Sequence, residues 1–155
     1  MTTSDVLSRP STARLSAASA LQRLLPELVA LTLQAKQAHW NLTGPDFHPL
    51  HVLTDELAAD TRAWADRVAE RSVALGFTAD ARPATVAAVG GEFPGGPVSD
   101  REVITELGAL VDAVAATTRS GLAAVEAADA VTHDIHIEVL EGLEKYHWFL
   151  RAQAT

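Results

Sequence analysis

FHPLHVLTDELAADTRAWADRVAERSVALG, residues 47–76, is the stretch that decides the fold. Its apolar residues Leu50, Leu53, Leu57, Trp64, Val68 and Leu75 return to one side of a helix every turn or two. The spacing predicts a helix from Pro49 to Leu75, ended by Gly76, whose missing Cβ suits a left-handed C-terminal cap. The opposite side of this helix is unusual. At about 100° per residue, with His51 as zero, Asp55 falls near ~40°, Asp66 near ~60° and Glu70 near ~100°. Four side chains with metal-ligand chemistry therefore share one face of a helix that must also bury a core.

Outward from this helix the pattern repeats. Upstream, Leu21, Leu24, Leu25, Leu28, Leu31, Ala35 and Ala38 predict a helix over Ala17–Leu42, with Pro26 either in its first turn or at a kink. Gly44 and Pro45 mark the loop between the two. Downstream, Phe77–Val98 holds three Pro and four Gly and reads as a long crossover, in which Pro83–Val89 forms a short helix ended by Gly90. Ser99 and Glu102 make a capping box that opens a third long helix through Val125. Asp129 or Thr132 caps a fourth, with its stripe at Ile135, Val139, Leu143, Tyr146 and Leu150. Four long helices with a long crossover between the second and third imply an all-α, ferritin-like four-helix bundle in up-down-down-up order. No strand pattern outweighs these helices.

Composition narrows the function. One domain is expected in 155 residues, with residues 1–16 as a flexible N-terminal tail and 17–153 as the bundle. With 48% hydrophobic and 21% charged residues and no apolar run of membrane-spanning length, the chain reads as soluble, without a membrane partner. Met1–Ala20 has no continuous apolar segment, so the expected location is cytoplasmic. The absence of cysteine excludes disulfides and thiolate sites and leaves His, Asp and Glu as the metal ligands, a donor set that favours iron over structural zinc. A net charge of −8 repels nucleic-acid phosphate. Lysine occurs only at Lys36 and Lys145, and Arg9 and Arg14 make a thin basic tail, so weak or absent DNA binding is expected.

Spacing along the second helix sets the architecture of the site. His51 and Asp55 are one turn apart, as are Asp66 and Glu70, so each pair can share an ion. Between Asp55 and Asp66 the axial rise is about 16 Å, whereas ligands of one ion lie about 2 Å from it. One helix cannot close the site. Two copies packed antiparallel across a two-fold axis bring the His51/Asp55 end of one to the Asp66/Glu70 end of the other, forming two equivalent sites. His39, near the end of the first helix, can add a ligand at the His51 end. The plainer alternative is a solvated acidic face beside Arg62, Arg67 and Arg71, with His51 satisfying a local hydrogen bond.

The flanking residues carry a resemblance. His39-Trp40-Asn41, Gly44, Phe47, Leu50-His51, Asp55, Asp66 and Ala69-Glu70-Arg71 closely match the signature of the Dps family of mini-ferritins, as do Leu143-Glu144-Lys145 and Trp148. The third helix contributes little to the match. The resemblance implies a ferroxidase centre formed by His39 and His51 of one subunit with Asp55, Asp66 and Glu70 of the symmetry mate. It implies a dodecamer built from two-fold dimers around an iron-storage cavity, and oxidation of ferrous iron, preferably by hydrogen peroxide. Some members also bind nucleoid DNA through a Lys/Arg-rich tail, which this chain lacks. Asp134, fourteen residues before Trp148, resembles the acidic residues that line three-fold iron pores in the family; its plainer role is as a carboxylate near a helix N-terminus.

Other candidates are weaker. Glu144 and His147 form a lone Glu-x-x-His, whereas an intra-bundle di-iron site needs two, so a bacterioferritin-like centre is disfavoured and His147 reads as structural. His48 reads as a solvated loop residue. Trp40, beside a proposed ligand, either packs at an interface or takes up stray oxidising equivalents.

Overall fold

A computed structural model describes residues 11–153. The order is α1 (Thr12–Asn41), β1 (Leu42–Thr43), α2 (Phe47–Ala74), α3 (Pro83–Val89), β2 (Val98–Ser99), α4 (Asp100–Val125) and α5 (Ala130–Ala152). The all-α bundle, the crossover and its short helix follow the sequence expectation. The expected tail boundary shifts: residues 1–10 lie outside those described, but Thr12–Ser16 belong to α1, five residues before Ala17. Ser11 caps this extra turn by accepting from the Arg14 N–H. Pro26 is buried in the middle of α1 rather than in its first turn. His48 lies in the first turn of α2, exposed.

The ends of the helices are held by the local chemistry that their sequence carries. Gly76 has φ +83°, its N–H donating to the Val73 carbonyl at 2.8 Å while Phe77 N–H reaches Ser72 at 3.1 Å. Both arms of the Ser99/Glu102 capping box form. The Asp129 carboxylate accepts from Thr132 N–H at 2.7 Å to open α5.

Two contacts orient the bundle. Leu42–Thr43 pairs in parallel with Val98–Ser99, a short bridge that places the start of α4 beside the α1–α2 turn. Asp100 then accepts from the Asp46 N–H at 3.2 Å, packed against Gly44, where a Cβ would lie 2.4 Å from its carboxylate. Hence α4 runs parallel to α2. Along α2 and α5 the partners run in opposite senses: Arg71 with Asp129, Arg67 with Glu138, Asp60 with Tyr146. The core is one cluster fed by every long helix, with Leu21, Leu24, Leu28, Leu57, Leu107 and Leu143 nearly or fully inaccessible. No helix among the described residues is long and apolar enough to cross a membrane.

Candidate metal centre

His39 sits in the last turn of α1 and His51 in the first turns of α2. The short intervening loop brings the two rings into a stack, centroids 3.7 Å apart and planes 19° from parallel. Each imidazole then uses the other residue's backbone. His39 Nδ1 lies 2.9 Å from the His51 carbonyl oxygen, and His51 Nδ1 lies 3.1 Å from that of His39. A carbonyl oxygen only accepts, so each Nδ1 is the protonated nitrogen. In the neutral rings both Nε2 atoms therefore keep a free lone pair, the tautomer a metal requires and the way a ligating histidine is normally held from behind. Phe47 stacks on His51 at 5.0 Å and closes one side of the pair.

Asp55, one turn after His51, is exposed and ion-paired with Lys36 of α1. The Lys36 hydrogen bond holds its carboxyl below the ordinary carboxylate range, with smaller help from His39 and His51. Asp55 thus lies at the His51 end of α2, paired with Lys36 of its own chain. The resemblance gives Asp55 to the symmetry mate, whereas the spacing along the helix puts it at the His51 end. Along the helix about one turn separates His51 from Asp55 and about three separate Asp55 from Asp66. Lys36 went unrecognised in the sequence as part of the site. Its signal was its position one turn before His39 on α1.

Asp66 and Glu70 are exposed at the other half. The arginines that would make them an ordinary solvated face are largely committed elsewhere: Arg67 to Glu138, and Arg71 through its Nη2 to both carboxylate oxygens of Asp129 at 2.7 and 2.8 Å. Asp66 lines an open groove of about 490 Å³ together with Val29, Arg62, Ala59, Ala63 and Ala69, the alanines keeping the α1–α2 face low. Within one chain, no three His, Asp or Glu side chains among the described residues are grouped to hold a metal. The five predicted residues lie toward two ends of α2, with His39 stacked on His51 and Asp55 one turn on at one end, and Asp66 and Glu70 about three turns away at the other.

The other titratable candidates have partners inside the bundle. Glu144 pairs with Arg119, and His147 Nδ1 lies 3.4 Å from Asp112. The cluster at the start of α5 divides: Asp134 is exposed, whereas His136 is fully buried. Trp40, beside His39, is 70% exposed, so it does not pack within its own core.

Comparison with known proteins agrees with this architecture. The ferritin-like domain family matches residues 18–155. The chain is similar to "DNA protection during starvation protein 2" of Deinococcus radiodurans, 38% identical over 86% of this chain and 56% of that protein. It is 32% identical to the "DNA protection during starvation protein" of Agrobacterium fabrum, over 92% of this chain and 90% of that one. The structure of Dps from Microbacterium arborescens in the high iron form superposes with a TM-score of 0.90 at 31% identity, covering 95% of this chain and 97% of that one. The chain belongs to the Dps family of ferritin-like proteins.

Proposed function

We propose that two copies of the chain, packed antiparallel along α2, form a ferroxidase centre from His39, His51 and Asp55 of one subunit with Asp66 and Glu70 of the other. The observation that carries this reading is the reciprocal backing of His39 and His51, which leaves two imidazole lone pairs beside a carboxylate held ionised. Asp66 and Glu70, with Arg67 and Arg71 turned to α5, supply the complementary half. Imidazole and carboxylate donors favour the ferric over the ferrous ion, which assists electron loss. Ferrous iron is the substrate. Two ferrous ions give one electron each to hydrogen peroxide, which takes up two protons and leaves as two waters. A cation reaching Asp55 displaces the Lys36 ammonium, so the charge already at this corner is exchanged rather than newly buried. Stored ferric mineral inside a hollow dodecamer, with Asp134 as an entry-pore residue, completes the proposal.

The test is peroxide-dependent oxidation of ferrous iron, followed by absorbance. Asp66→Ala and Glu70→Ala are expected to slow it at least about tenfold, since even loss of a group behind a metal ligand costs that much. Native mass should be unchanged. Wild-type rates in both variants would remove the proposed centre.

The names of the relatives favour a second reading, direct binding to DNA. Here the net charge is −8, and Arg14, one of the two basic residues of the presumed tail, is folded into α1 and donates to the Leu75 carbonyl. We expect protection of DNA through removal of iron and peroxide. Electrophoretic retardation of linear duplex is expected to be absent at ~150 mM salt, where few phosphate contacts give little affinity. A retained complex at that salt would reinstate direct binding.

A further inference from the structure

Tyr146 is the chain's only tyrosine. It is 2% exposed, and its O–H donates across the α2–α5 interface to Asp60 Oδ2 at 2.7 Å. Trp64, on the next turn of α2, stands edge-on to its ring with centroids 6.5 Å apart. The indole of Trp64 lies against the backbone of Gly142, where any Cβ would come within 2.3 Å of it. Asp60 is half-buried, whereas the phenol it accepts from is buried. Along α2 these groups fall between the two halves of the candidate centre: Asp60 is about 7.5 Å along the axis from Asp55, and Trp64 about 3 Å from Asp66.

We propose that Tyr146, with Asp60 as its proton acceptor and Trp64 as its neighbour, is a sink for one-electron oxidising equivalents released when ferrous iron meets peroxide. The inference rests on the ferroxidase reading above for the source of those equivalents. When a single ferrous ion reduces peroxide, one electron passes, giving ferric iron, hydroxide and a hydroxyl radical. Tyr146 supplies the missing electron. Its phenolic proton moves to Asp60, within the 2.6–3.2 Å that direct proton transfer requires, and the hydroxyl radical takes the electron and a solvent proton to become water. A later ferrous ion returns the electron, Asp60 returns the proton, and the phenol is restored. Burial first, and then Asp60 and Glu56, push the phenol's proton affinity up, so at neutral pH it is a protonated phenol hydrogen-bonded to Asp60 that is oxidised. The chain has no cysteine and a single methionine, so the readily oxidised side chains besides Tyr146 are chiefly its three tryptophans, Trp40 beside His39 among them.

The test uses the assembled protein and electron paramagnetic resonance after rapid freezing, with two oxidants. One is ferrous iron plus peroxide, with iron oxidation followed in the same mixture. The other is a photogenerated ruthenium(III) trisbipyridine complex without iron. Both are expected to give a tyrosyl signal that Tyr146→Phe abolishes and Asp60→Asn reduces several-fold, while the thermal midpoint of each variant stays near that of the parent. Loss of the signal without loss of stability is a result that a purely structural hydrogen bond would not produce. Absence of the photochemical signal, or equal yields with Asp60→Asn, overturns the proposal, as does iron oxidation that proceeds with no tyrosyl signal. If the protein fails to accelerate iron oxidation while the photochemical signal persists in the expected pattern, the ferroxidase reading falls and the Tyr146–Asp60 pair stands.

Discussion

Gly142→Ala is expected to destabilise the protein by about 3 kcal/mol, the upper part of the range for overpacked cores. Gly108→Ala, the same change on a neighbouring helix, is expected to stabilise it by up to about 1 kcal/mol. Both glycines lie inside long helices, where alanine is intrinsically preferred, so helix propensity alone gives them the same sign. What differs is the space. A Cβ at Gly142 lies 2.3 and 2.4 Å from two carbons of the Trp64 indole, while one at Gly108 meets no heavy atom within 4 Å. Trp64 is 8% exposed and packed against Tyr146, so its rigid ring has no free rotamer to retreat into. For a chain of this length the Gly142→Ala loss corresponds to roughly a 10 °C fall in the thermal midpoint. Calorimetry of the two variants decides the matter, and a stabilised Gly142→Ala would mean that Trp64 does not sit on α5 as described.

Acid is the second large effect. His136 is fully buried against Gly121, its Nδ1 donating to the Thr132 carbonyl at 2.9 Å, and its Nε2 has no protein partner. Burial first pushes its imidazole below the ordinary value, and the nearby positive charges of Arg23 and His133 add to this. Because the folded chain resists the proton that the unfolded chain accepts, stability falls once the pH drops below about 6.5, at up to ~1.4 kcal/mol per pH unit at the steepest point. The loss levels off beneath the folded value. Asp129 works in a different window. Burial raises its carboxyl, but hydrogen bonds from Thr132 and Arg71 more than offset this and leave it below the ordinary range. Its contribution is complete above about pH 4 and disappears as pH falls through the folded value. Thermal midpoints measured from pH 7.5 to 3 should therefore show two descending limbs. His136→Gln should flatten the upper one and Asp129→Asn the lower. An unchanged upper limb in His136→Gln would assign the acid sensitivity to another group.

Much of the fold was legible because its signals are local. The Leu50–Leu75 stripe, the Gly76 end, the Ser99/Glu102 box and the Pro83–Gly90 helix each depend on residues within a few positions of one another. The first turn of α1 was not legible from hydrophobic periodicity, since Thr12–Leu15 is largely exposed and only Ser11 marks its start. The pairing of Leu42–Thr43 with Val98–Ser99 has no period to detect: it joins two residues to two others across more than fifty positions. The candidate centre was legible as residue types at helical spacing along one face of α2. The rise per residue also separates its two ends, but the partners of its side chains were not legible. The stacking of His39 on His51, the Lys36 partner of Asp55 and the turning of Arg67 and Arg71 toward α5 are tertiary contacts between residues far apart in sequence, with no local pattern to announce them.

In the proposed centre the two halves join only between copies, and subunit mixing tests this most directly. Chains carrying His51→Ala and chains carrying Asp66→Ala, each expected to be slow alone, are unfolded together and refolded as a mixture. Across a two-fold axis a mixed pair holds one site with both defects and one with neither. Random pairing makes half the dimers mixed, so the mixture is expected to recover about a quarter of the unsubstituted rate of iron oxidation. A mixture no faster than its two parents would contradict a centre shared between subunits.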